Sequence, residues 1–287
     1  MKKRYLCQPA SALLLSLLAL NSASAGNYTQ DTIASYLQPL KSQHLTSSQQ
    51  KGLEIYTTQY LMDEGWQSME TLMEMTLVDA QGSTSKRTVV KKTLEEDGVP
   101  DKTLGIFVAP NDIKGTVMLT FEQAEGADNQ WLFIPTVKRT KKINAENKSG
   151  SFVGSEFSWE DISTTELSKY TYELTGETDT HWQVVRVPIY GHSGYSKQIT
   201  SVNKANYQTE TIEFYDVKGS LLKTLKLTDW KLYGDKYWRP KHFEMVNHQN
   251  GKQTILRLGE YKLGNTEAVE FTSFNLPRVS NASMRVN

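Results

Sequence analysis

Apolar residues recur along this chain with two periods, and the switch between them divides it. Ile33, Tyr36, Leu37 and Leu40 fall at i, i+3, i+4 and i+7, so the spacing predicts a helix over the first ~35 residues after position 25. A second helix is predicted from Thr46-Ser47-Ser48, whose hydroxyls suit an N-terminal cap. It carries Leu53, Tyr56 and Tyr60 on one face and stops at Gly65. From Trp66 the period becomes two: Met69, Thr71, Met73, Met75 and Leu77 alternate with Ser68, Glu70, Glu74 and Thr76. That alternation predicts a strand with one apolar and one polar face. Asp79-Ala80-Gln81-Gly82 follows as a turn.

Strand-like runs continue at 87–94, 104–109, 116–122, 131–135 and 138–144. After residue 167 they resume at 169–175, 182–190, 197–203, 209–215, 221–233, 237–246, 253–262 and 267–274. Polar turns such as Asp216-Val217-Lys218-Gly219 and Asn247-His248-Gln249-Asn250-Gly251 separate many of them. Many strands joined by short polar turns predict a meandering antiparallel sheet. The tail from Ser280 to Asn287 is polar and is expected to be loose.

The first 25 residues read differently. Lys2, Lys3 and Arg4 precede an apolar run from Ala12 to Leu20, and Ala23-Ser24-Ala25 follows it. This is the pattern of a secretory signal peptide cut after Ala25, with the periplasm as destination. The run is shorter than the ~20 residues a membrane span needs. The only cysteine, Cys7, precedes the apolar core and leaves with the signal. The expected mature chain therefore has no thiol chemistry, disulfide or cysteine-ligated metal. It runs from Gly26 to Asn287, a length suited to one all-β domain or two small domains, and with no break in composition a single domain is the simplest reading. The 32 basic and 32 acidic residues balance; losing three cations with the signal leaves a net charge of −3. That balance makes no electrostatic case for nucleic acid.

Three constellations invite a catalytic reading. Gly191-His192-Ser193-Gly194 approaches a nucleophile elbow, but G-x-S-x-G requires a second glycine at 195, where Tyr195 stands. A Gly/Ser hairpin loop is the simpler account. His44, His181, His192, His242 and His248 show neither HxH nor HExxH spacing, so no metal or cofactor is expected. Glu156, Glu160 and Asp161 could act as paired acids. However, Ser158-Trp159-Glu160-Asp161 also has the spacing of a capping box with Asp in place of Glu. Phe152, Phe157 and Trp159 would bury as anchors, and Gly150 and Gly154 would permit sharp bends. The segment is read as a strand exit, a tight loop and a short capped helix. Lys138, Arg139, Lys141 and Lys142 are read as the solvated side of a strand, with an anionic surface as the alternative.

A set of blocks then resembles one family. Phe107 to Thr116 (FVAPNDIKGT), Gln130 to Pro135 (QWLFIP), Lys138-Arg139, and Lys148 to Asp161 (KSGSFVGSEFSWED) match in order and spacing the LolA-like, outer membrane lipoprotein-sorting proteins. The match is close over about residues 50–162 and looser beyond 170, where Arg186, Tyr215 to Gly219 and Trp238-Arg239-Pro240 fit in outline. Val153, Trp159 and Phe133 depart from the family's usual Met, Tyr and Tyr while keeping similar bulk. The resemblance implies an incomplete antiparallel β-barrel with helices covering its open side, an acyl-chain cavity, and no catalytic residue. It also implies an RND/MMPL-type inner-membrane exporter as partner.

A lipid carrier needs such a cavity because each acyl CH₂ hidden from water is worth roughly 0.8 kcal/mol. The inward residues expected to line it are Met73, Met75, Leu77, Val117, Leu119, Phe121, Trp131, Phe133, Tyr172, Val185 and Val187. The helices around Leu37, Tyr56 and Tyr60 would act as a lid. Two other readings stay open. One is an accessory subunit of an exporter that binds no lipid, and the other is a hydrolase built on Ser193 or on Glu160 and Asp161.

Overall fold

Alternating side chains make each strand half-apolar, and such strands are stable only when the apolar faces stack. In the computed structural model they do so as one 14-stranded antiparallel sheet. The structure describes residues 44–96, 99–123, 128–144, 148–162, 167–264, 271–272 and 275–285. The expected signal peptide with Cys7 and the helix around Ile33 to Leu40 lie outside the described residues.

Helix α1 spans Ser47–Asp63. Thr46 caps it: its hydroxyl accepts from the Gln49 backbone N–H, and the Gln49 side chain accepts from the Thr46 N–H. These reciprocal bonds satisfy two of the helix's orphan donors, as the Thr/Ser-rich start predicts.

Six strands follow: β1 (Ser68–Val78), β2 (Thr84–Glu96), β3 (Val99–Ala109), β4 (Val117–Phe121), β5 (Asn129–Ile134) and β6 (Arg139–Ile143). A connection carrying residues 148–162 leads to β7 (Tyr170–Glu177), β8 (His181–Pro188), β9 (Tyr195–Asn203) and β10 (Thr209–Asp216). Then come β11 (Leu221–Tyr233), β12 (Tyr237–Asn247), β13 (Gln253–Leu258), the short β14 (Lys262–Leu263) and a C-terminal helix, α2 (Leu276–Arg285).

Neighbours in sequence pair antiparallel, except β6 with β7 and β13 with β14, and β1 pairs instead across the chain with β13. The order is β6-β5-β4-β3-β2-β1-β13-β12-β11-β10-β9-β8-β7, with β14 also on β1. Two meanders are thus fused where β1 meets β13, with Met73 opposite Leu258 and Met75 opposite Leu256. β6 and β7 are left as unjoined edges, so the sheet curls into an incomplete barrel. β6 bears Arg139, Lys141 and Lys142 exposed, which guards that edge against pairing with another chain.

Two expectations need correction at the C-terminus. The tail from Ser280 is helical up to Arg285, and Ser280 is fully buried. Leu276 and Val279, three apart, seat one helical face on the sheet beside Phe271. Residues 271–272 are not strand; the rest of the expected 267–274 run lies outside the described residues. Among the described residues no helix is long and apolar enough to cross a membrane.

Candidate functional site

The β2–β5 region is buried on both faces, so its alternation separates two cores. Val89, Phe107 and Met118 point to the concave face, with Met73, Met75, Leu256 and Leu258. Leu104, Ile106, Val117, Leu119 and Phe133 point the other way, against Phe271, Leu276 and Val279. A third cluster lies under α1, where Ile55 and Tyr56 meet Tyr170, Tyr172, Val184 and Val202.

Residues 148–162 fill much of the concavity. Phe152, Phe157 and Trp159 enter the first core, and the Phe152 and Trp159 rings meet edge to face at 5.1 Å. The segment is pinned from several strands. The buried Gln130 amide donates to the Trp159 carbonyl (3.1 Å), and the Glu156 N–H donates to Thr254 Oγ1 (2.9 Å). Ser158 and Asp161 exchange the predicted reciprocal bonds: Ser158 N–H to Asp161 Oδ2 (2.7 Å) and Asp161 N–H to Ser158 Oγ (3.2 Å). They close a turn; residues 158–162 form no helix, contrary to the expectation.

Asp161 has further partners that fix it in place. Lys223 Nζ lies 2.5 Å from its Oδ2 and the Tyr195 hydroxyl donates to its Oδ1 (2.7 Å). Lys223 in turn lies over the Tyr195 and Phe214 rings. Glu160 accepts from Ser193 Oγ (2.5 Å), the Gly194 N–H (2.9 Å) and the Tyr190 hydroxyl. Burial raises its pKa, and these three donors oppose the rise. The two acids therefore anchor the plug to β11 and to the 190–194 loop, and Ser193 shares that anchor. Among the described residues no group of three or more His, Cys, Asp or Glu could hold a metal ion.

One hollow remains beside residues 148–162, and a second adjoins it. The inner one, about 190 Å³, is walled by Met73, Met75, Val89, Met118, Leu256 and Leu258 among others. The outer one, about 390 Å³, lies under α1 between Tyr56, Tyr60, Trp66, Trp230, Trp238 and Pro240. Lys91 and Phe243 belong to both walls, so the hollows adjoin.

The eleven expected cavity residues are therefore dispersed. Met73 and Met75 wall the inner hollow, and Leu77 packs on the same core. Val117, Leu119 and Phe133, with Phe121 and Trp131 packed on them, face α2 on the opposite side. Their expected inward direction is corrected, because α2 makes the convex face as apolar as the concave one. Tyr172 lies beneath α1 with its ring 4.8 Å from that of Tyr56. On β8 it is Val184 and Arg186 that are buried; Val185 and Val187 face the other way, and Val187 is 39% exposed. The expectation missed Lys91. Its signal was a lysine in phase with the buried Val89 and Thr93.

A family model described as "Uncharacterized protein" matches residues 99–278. No curated protein matches. A crystal structure from Vibrio parahaemolyticus, described as an outer membrane lipoprotein-sorting protein domain, is 41% identical. The match covers 80% of this chain and 100% of that one, with a TM-score of 0.78. A DUF1329 family protein from Desulfovibrio piger has the same coverage at 22% identity and a TM-score of 0.76. A LolA superfamily protein from Nitrosomonas europaea matches at 17% identity over 80% and 99% of the two chains, with a TM-score of 0.61.

Proposed function

The chain belongs to the LolA-like family of outer membrane lipoprotein-sorting proteins, and from that premise we propose that it is a periplasmic carrier of lipid or lipoprotein acyl chains. It binds its cargo and makes or breaks no bond. The observation that carries this reading is the pair of adjoining hollows on the concave face. The inner wall is mostly apolar, with Met73, Met75 and Met118 beside phenylalanine, leucine, isoleucine and valine, and unbranched methionines adapt to chains of varied shape. The outer hollow falls in the ~300–1,000 Å³ range usual for ligand sites. Helix α1 roofs it through Tyr56, Gln59 and Tyr60 and is the element that would move to admit cargo. Glu160, Asp161 and Ser193 have structural partners that account for their placement, which supports binding over hydrolysis.

Protein purified from a periplasm, extracted with organic solvent and analysed by mass spectrometry, is expected to release an acyl lipid in stoichiometric amount. An empty protein that also fails to take up fluorescent fatty acid would refute the carrier reading. It would favour a second one, an accessory subunit of an RND/MMPL-type exporter. The observation behind that reading is the aromatic plug, which leaves an inner hollow of only about 190 Å³. Co-purification of a pump with the empty protein is its test.

A further inference from the structure

A lipid has a head as well as a tail, and the two adjoining hollows differ in polarity accordingly. The outer hollow contains three cations, Lys91, Arg186 and Arg239, among its tyrosines and tryptophans. Arg239 is paired with Asp63. The other two have no ion pair with any described carboxylate. Arg186 is 5% exposed and its Nε has no hydrogen-bond partner. One guanidinium NH₂ donates to the neutral Gln198 amide, and the rings of Tyr56 and Tyr170 each lie 5.1 Å away. Lys91 projects from β2 at the junction of the two hollows. Withdrawal from water lowers its pKa; Glu122 and Asp101 pull it back up, and Arg239 adds to the fall. Asp63, Glu64 and Asp101 share the outer wall without pairing with Lys91 or Arg186.

A buried cation without a counter-ion is costly, and an anion delivered into the same low-dielectric space removes that cost through charge-assisted hydrogen bonds. Resting on the carrier reading above, we infer that the cargo is an anionic amphiphile: a carboxylate or phosphate head held by Lys91 and Arg186, with its acyl tail in the methionine-walled hollow. Arginine suits this role because its planar donors match both oxyanions. A neutral head of equal tail length would bring no oxyanion to the Lys91 and Arg186 donors.

Calorimetric titration of the mature protein with dodecanoate, dodecyl phosphate, dodecanol and inorganic phosphate tests the inference. In wild type one or both anionic amphiphiles should bind at least about tenfold tighter than dodecanol, the size expected of charge-assisted bonds. Which of the two binds tighter identifies the head. Lys91→Met and Arg186→Met should each shrink the ratio of anion to alcohol affinity toward one. Arg186→Lys keeps the charge and should retain part of the preference, and it serves if Arg186→Met fails to fold. Equal binding of alcohol and anions in wild type overturns the anionic head while the carrier reading survives. An anionic preference unchanged in Lys91→Met and in the folded Arg186 variant overturns the assignment of these residues. Inorganic phosphate binding as tightly as dodecyl phosphate makes this a free-anion site and overturns the amphiphile. Binding of none of the four sinks the carrier reading and this inference together.

Discussion

Lys223 and Asp161 show what individual residues contribute to the interior. Each side chain is 4% exposed, and their ion pair ties the plug to β11 through the first core. Removing one partner of such a pair leaves the other charge buried and typically costs about 3–5 kcal/mol. Asp161→Ala is therefore expected to lose about that much stability in urea unfolding, whereas a catalytic acid would be lost with stability unchanged. Glu260 lies at the other extreme, on the exposed surface. Lys231 and Lys241 (both 2.7 Å) and the Tyr233 hydroxyl (3.0 Å) bond it and pull its pKa down to about 2. Because the folded value is depressed, its stabilising contribution is present above the ordinary glutamate value of 4.5 and fades as pH falls through about 2. NMR titration should find that low value, and 1 M salt should move it toward 4.5, since exposed charges are screened.

At the scale of elements, α1 is set by one close approach. A Cβ on Gly52 would lie 2.8 Å from the backbone nitrogen of Glu173 and 2.9 Å from that of Leu174. Glycine is the worst ordinary residue for a helix interior, and Gly→Ala there usually gains up to ~1 kcal/mol. Here the sign reverses, because strand backbone cannot yield as a side-chain tip can. Gly52→Ala is expected to lower the melting temperature and to lift α1 from β7. The accompanying readout is a change in Tyr56, whose hydroxyl donates to Thr200 Oγ1 (2.7 Å). The strands from β1 through β13 were legible as runs, because period-two alternation and polar turns are local properties. Helix α2 was not. Its Leu276 and Val279 stripe is short, and its meaning depends on the second apolar face of β3–β5.

For the whole molecule, the two-faced burial of the sheet makes a test by position. Trp131 belongs to the face under α2, and Met75 to the wall of the inner hollow. Met75→Phe should narrow that hollow and weaken acyl-chain binding, at a stability cost of about 1–3 kcal/mol for overpacking. Trp131→Ala should leave binding at the wild-type level, as measured by fatty-acid titration of both variants. Within the plug, the sequence alone identified the Ser158–Asp161 bonds and the aromatic anchors, since capping chemistry acts over three residues. The sequence by itself determined the β class, the strands and turns, the cap of α1 and the family. Tertiary structure alone decided which face of each strand is concave, that α2 occupies the other, and that Lys91 and Arg186 share one hollow. Alternation defines two faces but no inside. That distinction arises only when β1 joins β13, the sheet curls, and residues far apart in the chain meet across it.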